Sequence, residues 1–499
     1  MAGVLRSSLL NLAATVVSLV TGFLVSIIVA RLLGPSGSGT VAFMMWLAVS
    51  ACAIADLGMP QTVLRYVAGL AQDEERRAVV NAAFRRFSRA VGAVFALAAA
   101  YALYRFSHAD AGGWLWSAVA VLFVAYALAA FSTAAARGHN RFGETAASTV
   151  IGGLIQIPLV FAGAWFFGPA GALAGMLTKY LPQALRLGRY VDFRRAGTAA
   201  ALAPDMRSYG RHMWLSDMID IVALSRIEFL ILGFFLSATE IGYFAVAIVF
   251  AGLIGQFALQ LSPALIVGFS AEPPDGGQAE SDATLYASSI RLIALVFLPV
   301  GLGGAAVIPA LLPPVFGEDF RPATSAATTL LAFSALMGFS VVPWSYLAAR
   351  GHGKSLMITT SFSAAAIMLM LLVAIPAAGV PGAAVARAAT ETLSLGMLLM
   401  IVRAKGGPAF PFATVSRILA AAFLCALSAH GVLQILPSLP GVAAAIGAGA
   451  VVYAMAIRLL RVIEAEEMEM LTEPMGARLP EPLKAVLRGF ARALAPRAG

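Results

Sequence analysis

Long apolar runs recur along the whole chain, separated by short stretches that carry its Gly, Pro and charged residues. The first, "LLNLAATVVSLVTGFLVSIIVA", shows no strict alternation, and its length is close to the ~20 residues that take a helix across a bilayer. Runs of this kind predict about fourteen spans, at 8–30, 39–58, 79–103, 113–135, 145–167, 170–188, 211–235, 240–268, 285–312, 324–348, 356–378, 381–402, 413–436 and 441–460. Membrane-barrel strands would instead give ~10-residue alternating segments. The fold class is therefore all-α integral membrane. The opening run is too long and too poorly flanked for a cleaved leader and is expected to be the first span.

The polar corners between the runs repeat. "AARGH" occurs at Ala135–His139 and again at Ala348–His352. "GPAGALA" from Gly168 matches "GVPGAAV" from Gly379, "GPSGSGTVAF" matches "SATEIGYFAV" with Gly39 on Gly242, and "MPQ" from Met59 falls on "SPA" from Ser262. One such match in an Ala- and Gly-rich chain is chance; four in the same order are not. Spans one to six thus pair with spans seven to twelve. Six is even, so the copies enter the membrane in the same direction, as parallel repeats about an axis along the membrane normal. The expected organisation is an N-lobe over 1–205, a C-lobe over 206–405, two added helices over 406–461 and a tail over 462–499. Two bundles around a central space suit alternating access better than a fixed pore.

Composition agrees with the pattern. Hydrophobic residues make up 60% of the 499 and charged residues 12%, with a mean hydropathy of +0.87; a soluble chain carries about a quarter charged. The net charge of +9 is spent on orientation rather than on nucleic acid. With the N-terminus in the cytoplasm, 28 of the 34 basic residues fall on the cytoplasmic side, while Arg31, Arg105 and Arg321 fall opposite and Lys179, Arg226 and Arg387 lie within spans. Both termini are then cytoplasmic. The tail stretch "EPLKAVLRGFARALAPR" places Leu483, Val486, Leu487, Phe490 and Leu494 at helical spacing, the pattern of a helix lying on the anionic leaflet; a frayed end is the alternative.

Several chemistries are excluded. Cys52 and Cys425 both lie in apolar runs, and the five histidines are dispersed, so no disulfide framework, metal site or cofactor is expected. "ARGHGKS" ends like a phosphate loop but has Ala348 where the first glycine belongs, and a helix precedes it. No compact polar segment remains to house an enzyme.

The stretch "ARLLGPSGSGTVAFMMWLAVSACAIADLGMPQTVLRYVAG", Ala30 to Gly69, resembles the start of the bacterial polysaccharide-export flippases, of the superfamily that also holds lipid II flippases and multidrug and toxin extrusion transporters. The small-residue turn "RLLGPSGSG", the aspartate of "DLG" and the pattern "MPQTVLR" carry the resemblance. Glu228 stands five before Gly233, where that family more often has aspartate, and "GVPGAAVARAATE" resembles its twelfth span. The resemblance implies two six-helix lobes, two extra helices and translocation of a lipid-linked oligosaccharide on a polyprenyl pyrophosphate across the bacterial inner membrane. Membrane lipids, glycosyltransferases and a polymerase are the implied partners.

Charges within spans need a reason, since each costs at least ~2.5–3.5 kcal/mol at mid-bilayer. At ~100° per residue Asp217, Asp220 and Glu228 share one stripe of span seven and Arg226 points away. Such a stripe binds a proton or Na⁺, repels the wrong substrate, or pairs with cations on neighbouring helices. Arg387 and Glu391 are one turn apart and can neutralise each other, whereas Lys179 has no local partner in sequence. Given the implied substrate, Arg226, Lys179, Arg387 and Arg291 are candidates to hold the pyrophosphate, Arg65 to draw it to the cytoplasmic mouth, and Asp217, Asp220, Glu228 and Glu391 to couple an ion. The competing readings are a cation-coupled drug antiporter of the same architecture and a non-transporting scaffold for glycan assembly.

Overall fold

The computed structural model describes residues 2–108, 112–193, 202–218, 227–270, 277–460 and 462. Asp220, Arg226 and the amphipathic helix expected in the tail lie outside the described residues. Among the described residues there is no strand, and ten helical stretches are long and apolar enough to cross a membrane. The helices are α1 (Ala2–Ala55), α2 (Met59–Gly69), α3 (Asp73–Ser107), α4 (Gly112–Gly138), α5 (Phe142–Leu177), α6 (Pro204–Met218), α7 (Ile227–Phe235), α8 (Ala238–Leu259), α9 (Ser262–Ser270), α10 (Gln278–Phe316), α11 (Thr324–Ala349), α12 (Gly353–Ala404), α13 (Phe412–Ile435) and α14 (Leu439–Leu459).

Three of these helices each hold two of the expected spans. Their backbones break at Gly34 (φ 64°), Gly168 (φ 60°) and Gly379 (φ 57°), conformations that essentially only glycine adopts. A proline follows at 35, 169 and 381, where its missing N–H costs nothing at the start of the next helix. The arms then run back against one another. A Cβ on Gly163 would sit 2.2 Å from the Gly171 carbonyl oxygen, and one on Gly382 would sit 2.1 Å from that of Ala374. Bare backbone at these positions lets the arms pack in a medium where no hydrophobic force drives helices together. One expected span is shorter than its apolar run. Span eight, read as 240–268, stops at Leu259, because Ser262–Pro263 opens the separate helix α9.

The chain forms two compact units, Met1–Val246 and Ala247–Gly499. In the first, Phe84 and Phe87 of α3 meet Phe131 of α4 at 5.4 and 4.9 Å between ring centres, and α2 inserts Val63 and Val67 against the same pair. In the second, α9 takes the equivalent place on α10 and α11, with Phe269, Tyr286 and Tyr346 in mutual ring contact. Helix α14 is tied to α10 by the Tyr453 hydroxyl, which donates to the Leu295 carbonyl at 2.8 Å. Outward-facing Trp165, Phe166, Phe167, Leu97 and Val373 are 65–74% exposed, which suits lipid rather than water.

The internal repeat is a structural fact with a corrected register. Helix α4 ends with Asn140 in the left-handed region and the Arg141 amide bonded to the Ala136 carbonyl. Helix α11 ends identically at Gly351, with His352 bonded to Leu347. These turns are 211 residues apart (351 − 140), as are Gly168 and Gly379. The two "AARGH" strings, 213 apart, therefore lie on equivalent turns but slipped by two positions. Within the first unit the matched corners also meet. A Cβ on Gly39 would strike the Ala238 carbonyl oxygen at 1.7 Å, and one on Gly242 would strike that of Pro35 at 2.0 Å. This reciprocity, at a constant offset of 203, is what a local two-fold relation produces.

Candidate functional site

The first unit holds an open hollow of about 470 Å³ whose lining includes Asp56, Arg137, Lys179 and Asp217. Three of these charges stand at or beside the end of a helix. Asp56 opens the "DLG" turn after α1; its carboxylate accepts the Gly58 amide at 2.8 Å, and Leu57 and Gly58 both have positive φ. Arg137 stands in the last turn of α4, just before the left-handed Asn140. Lys179 follows the end of α5, where the chain tightens into i→i+3 hydrogen bonds over Thr178 to Tyr180. That turn fits only because residue 152 is glycine, since a Cβ there would lie 2.1 Å from the Lys179 carbonyl oxygen.

Asp217 arrives on α6. The helix is docked by Trp214, whose indole N–H donates to the Ala53 carbonyl at 3.0 Å, and by Gly210, whose carbonyl lies 1.9 Å from where a Gly58 Cβ would be. Tyr126 and Tyr180 meet edge to face at 4.9 Å on the cavity wall, and Gln183 donates to the Ser132 hydroxyl at 3.0 Å. Asp56 and Asp217 are close enough for their charges to interact. Among the described residues, the side chains of Lys179 and Arg137 make no hydrogen bond or ion pair with protein groups. Two cations and two carboxylates thus share one part-apolar hollow, where charges are costly to strip of water.

Of the residues picked from sequence, the fold brings together Lys179 and Asp217. Glu228 is fully buried at the start of α7 and is not part of this lining. Arg65 is exposed on α2 and lays its guanidinium over Tyr209 at 4.4 Å and Tyr66 at 5.7 Å. In the second unit Arg387 donates to Glu391 at 3.2 Å, and Arg291 is half-buried on α10. Asp56 and Arg137 were not picked as site residues, although each sits in a motif that stood out, "DLG" and "AARGH". A larger hollow of about 930 Å³ at the opposite end of α4 and α5, lined by Trp114, Val121, Phe167 and Pro169, carries no charged side chain. Among the described residues no group of three or more His, Cys, Asp or Glu is placed to hold a metal ion.

The chain belongs to the polysaccharide biosynthesis protein family, whose profile matches residues 28–326. No curated protein matches it in sequence. Its fold is that of the lipid II flippase MurJ in an inward closed conformation, with a TM-score of 0.73 at 13% identity over 90% of this chain and 98% of that one. An inward-facing multidrug resistance MATE family transporter of the MOP superfamily shares it at a TM-score of 0.58 and 14% identity, over 82% of this chain and 98% of that one. The outward-facing conformation of a multidrug resistance MATE family transporter of the same superfamily matches at 0.53 and 15% identity, over 83% and 96%.

Proposed function

We propose that this protein carries a lipid-linked oligosaccharide, the polyprenyl pyrophosphate repeat unit of a surface polysaccharide, across the bacterial inner membrane by alternating access. The observation that carries the proposal is the cavity holding Lys179 and Arg137 with no carboxylate bonded to either among the described residues. Both can donate charge-assisted hydrogen bonds to pyrophosphate oxygens, and the guanidinium can do so through two nitrogens at once. The glycan would cross in the wet interior while the polyprenyl tail stays in the bilayer. Asp56 and Asp217 would take the coupling proton or cation. Arg226 and Asp220, between α6 and α7 in sequence, would join the two roles, while Arg65 would meet the headgroup at the cytoplasmic mouth. Arg291, Arg387 and Glu391 would serve the second unit, and Glu228, buried in the first, would take part in ion coupling. Glycosyltransferases and a polymerase would be the protein partners.

A deletion strain complemented with wild type or with the double variant K179Q/R137Q tests this. Loss of the protein should leave lipid-linked repeat units facing the cytoplasm, and the double variant should restore export at least tenfold less well. Normal export with both cations removed would end the assignment of this cavity to the headgroup. The paired carboxylates and the Tyr126–Tyr180 edge support a second reading, cation-coupled drug antiport. That reading predicts changed drug sensitivity with unchanged glycan export in the same deletion strain.

A further inference from the structure

The "DLG" turn has two sides. Asp56 lines the charged cavity described above, while Leu57, its neighbour at φ 51°, lines a separate hollow of about 460 Å³. The sequence "FRRFSRA" of α3 builds one wall. Phe84 and Phe87 turn into the core, 8% and 0% exposed, and this fixes Arg85, Arg86 and Arg89 toward the hollow. Arg207, in the first turns of α6, supplies a fourth guanidinium from a different element, over an apolar floor of Leu57 and Leu202.

Elsewhere Arg76, Arg189, Arg321, Arg350 and Arg387 each hold a carboxylate. Among the described residues, the side chains of these four hold none. A general excess of basic residues at one membrane face accounts for arginine in this part of the chain. It does not account for four of them, from two helices, converging on one hollow, because like charges gathered without an anion repel. Guanidinium forks match phosphate oxygens, and the leucine floor matches the glycerol or isoprenoid carbons beneath a headgroup.

We infer that this hollow is a second anion site that takes the phosphate-bearing headgroup of a lipid, outside the charged cavity and separated from it by the "DLG" turn. The inference goes beyond the transport proposal and does not depend on it. Two sources share this chemistry, an anionic phospholipid of the leaflet and a pyrophosphate-linked carrier, and the test separates them.

Full-length protein in an uncharged detergent is titrated with short-chain phosphatidylglycerol, short-chain phosphatidylcholine and inorganic pyrophosphate, and adducts are read by native mass spectrometry. Phosphatidylglycerol should bind at least tenfold more tightly than phosphatidylcholine, and more weakly at 500 mM than at 50 mM salt. R86Q/R207Q should weaken it at least fivefold, while R403Q/R458Q leaves it unchanged. Displacement of the lipid by pyrophosphate assigns the site to a pyrophosphate headgroup; retention against excess pyrophosphate assigns it to a membrane phospholipid. A second measurement needs no variant: a phosphatidylglycerol with a photoreactive headgroup should cross-link wild type within residues 82–90. Equal binding by wild type and R86Q/R207Q, equal binding of the two lipids, or cross-links confined to other segments would each overturn the inference.

Discussion

At the scale of single residues, the charges of the first unit are placed by backbone irregularities rather than by regular helix faces. Asp56 is presented by two successive positive-φ residues, Arg137 by a left-handed helix end and Lys179 by a tightened turn. Because Asp217 comes from another element, its removal tests the cavity as a unit. In proteoliposomes, Asp217→Asn is expected to slow transport about tenfold, ~1.4 kcal/mol on the barrier, and to flatten its dependence on external pH. Asp205→Asn, on the exposed start of the same helix, should do neither. In the second unit the buried Asp282 accepts hydrogen bonds from Arg350 and, at 3.1 Å, from the Gln278 amide. Asp282→Asn leaves that guanidinium without its anion, at a cost of about 1.5–3 kcal/mol for a charge-assisted hydrogen bond, and is expected to lower the melting temperature in detergent without changing substrate preference.

At the scale of elements, the corners are glycine-dependent hairpins. Gly168 and Gly379 occupy the same backbone region at equivalent points of the repeat. Alanine at either should destabilise by about 1–3 kcal/mol, and the two losses should be similar in size. A larger effect is expected where backbones touch: Gly39→Val and Gly242→Val place side chains against carbonyl oxygens. Circular dichroism melting of the purified variants separates these cases, because Gly22→Ala, with open space around it, should melt like wild type.

At the scale of the whole molecule, the cysteine content permits a direct test of topology. Cys52 and Cys425 are 4% and 7% exposed, so wild type should resist a membrane-impermeant maleimide in intact cells and in inverted vesicles. Cysteines introduced as R403C and R458C should label only in inverted vesicles, and W114C and R321C only in intact cells. Any exchange between these groups would reverse the orientation inferred from the basic residues.

The all-helical, membrane-spanning plan was legible in the sequence, because the cost of burying polar groups in a bilayer acts on each ~20-residue run separately. Even the hairpin corners announced themselves as glycine followed closely by proline. The register of the repeat was not so legible, since "AARGH" slips by two positions on a turn whose geometry depends only on which residue takes the left-handed conformation. Nor did the string betray which charges share a space. Asp56, Arg137, Lys179 and Asp217 come from far-separated positions on four elements, and they meet because Gly58, Gly152 and Gly210 let backbones approach within van der Waals contact. Close packing is a property of surfaces meeting in three dimensions, so only the tertiary structure decided it.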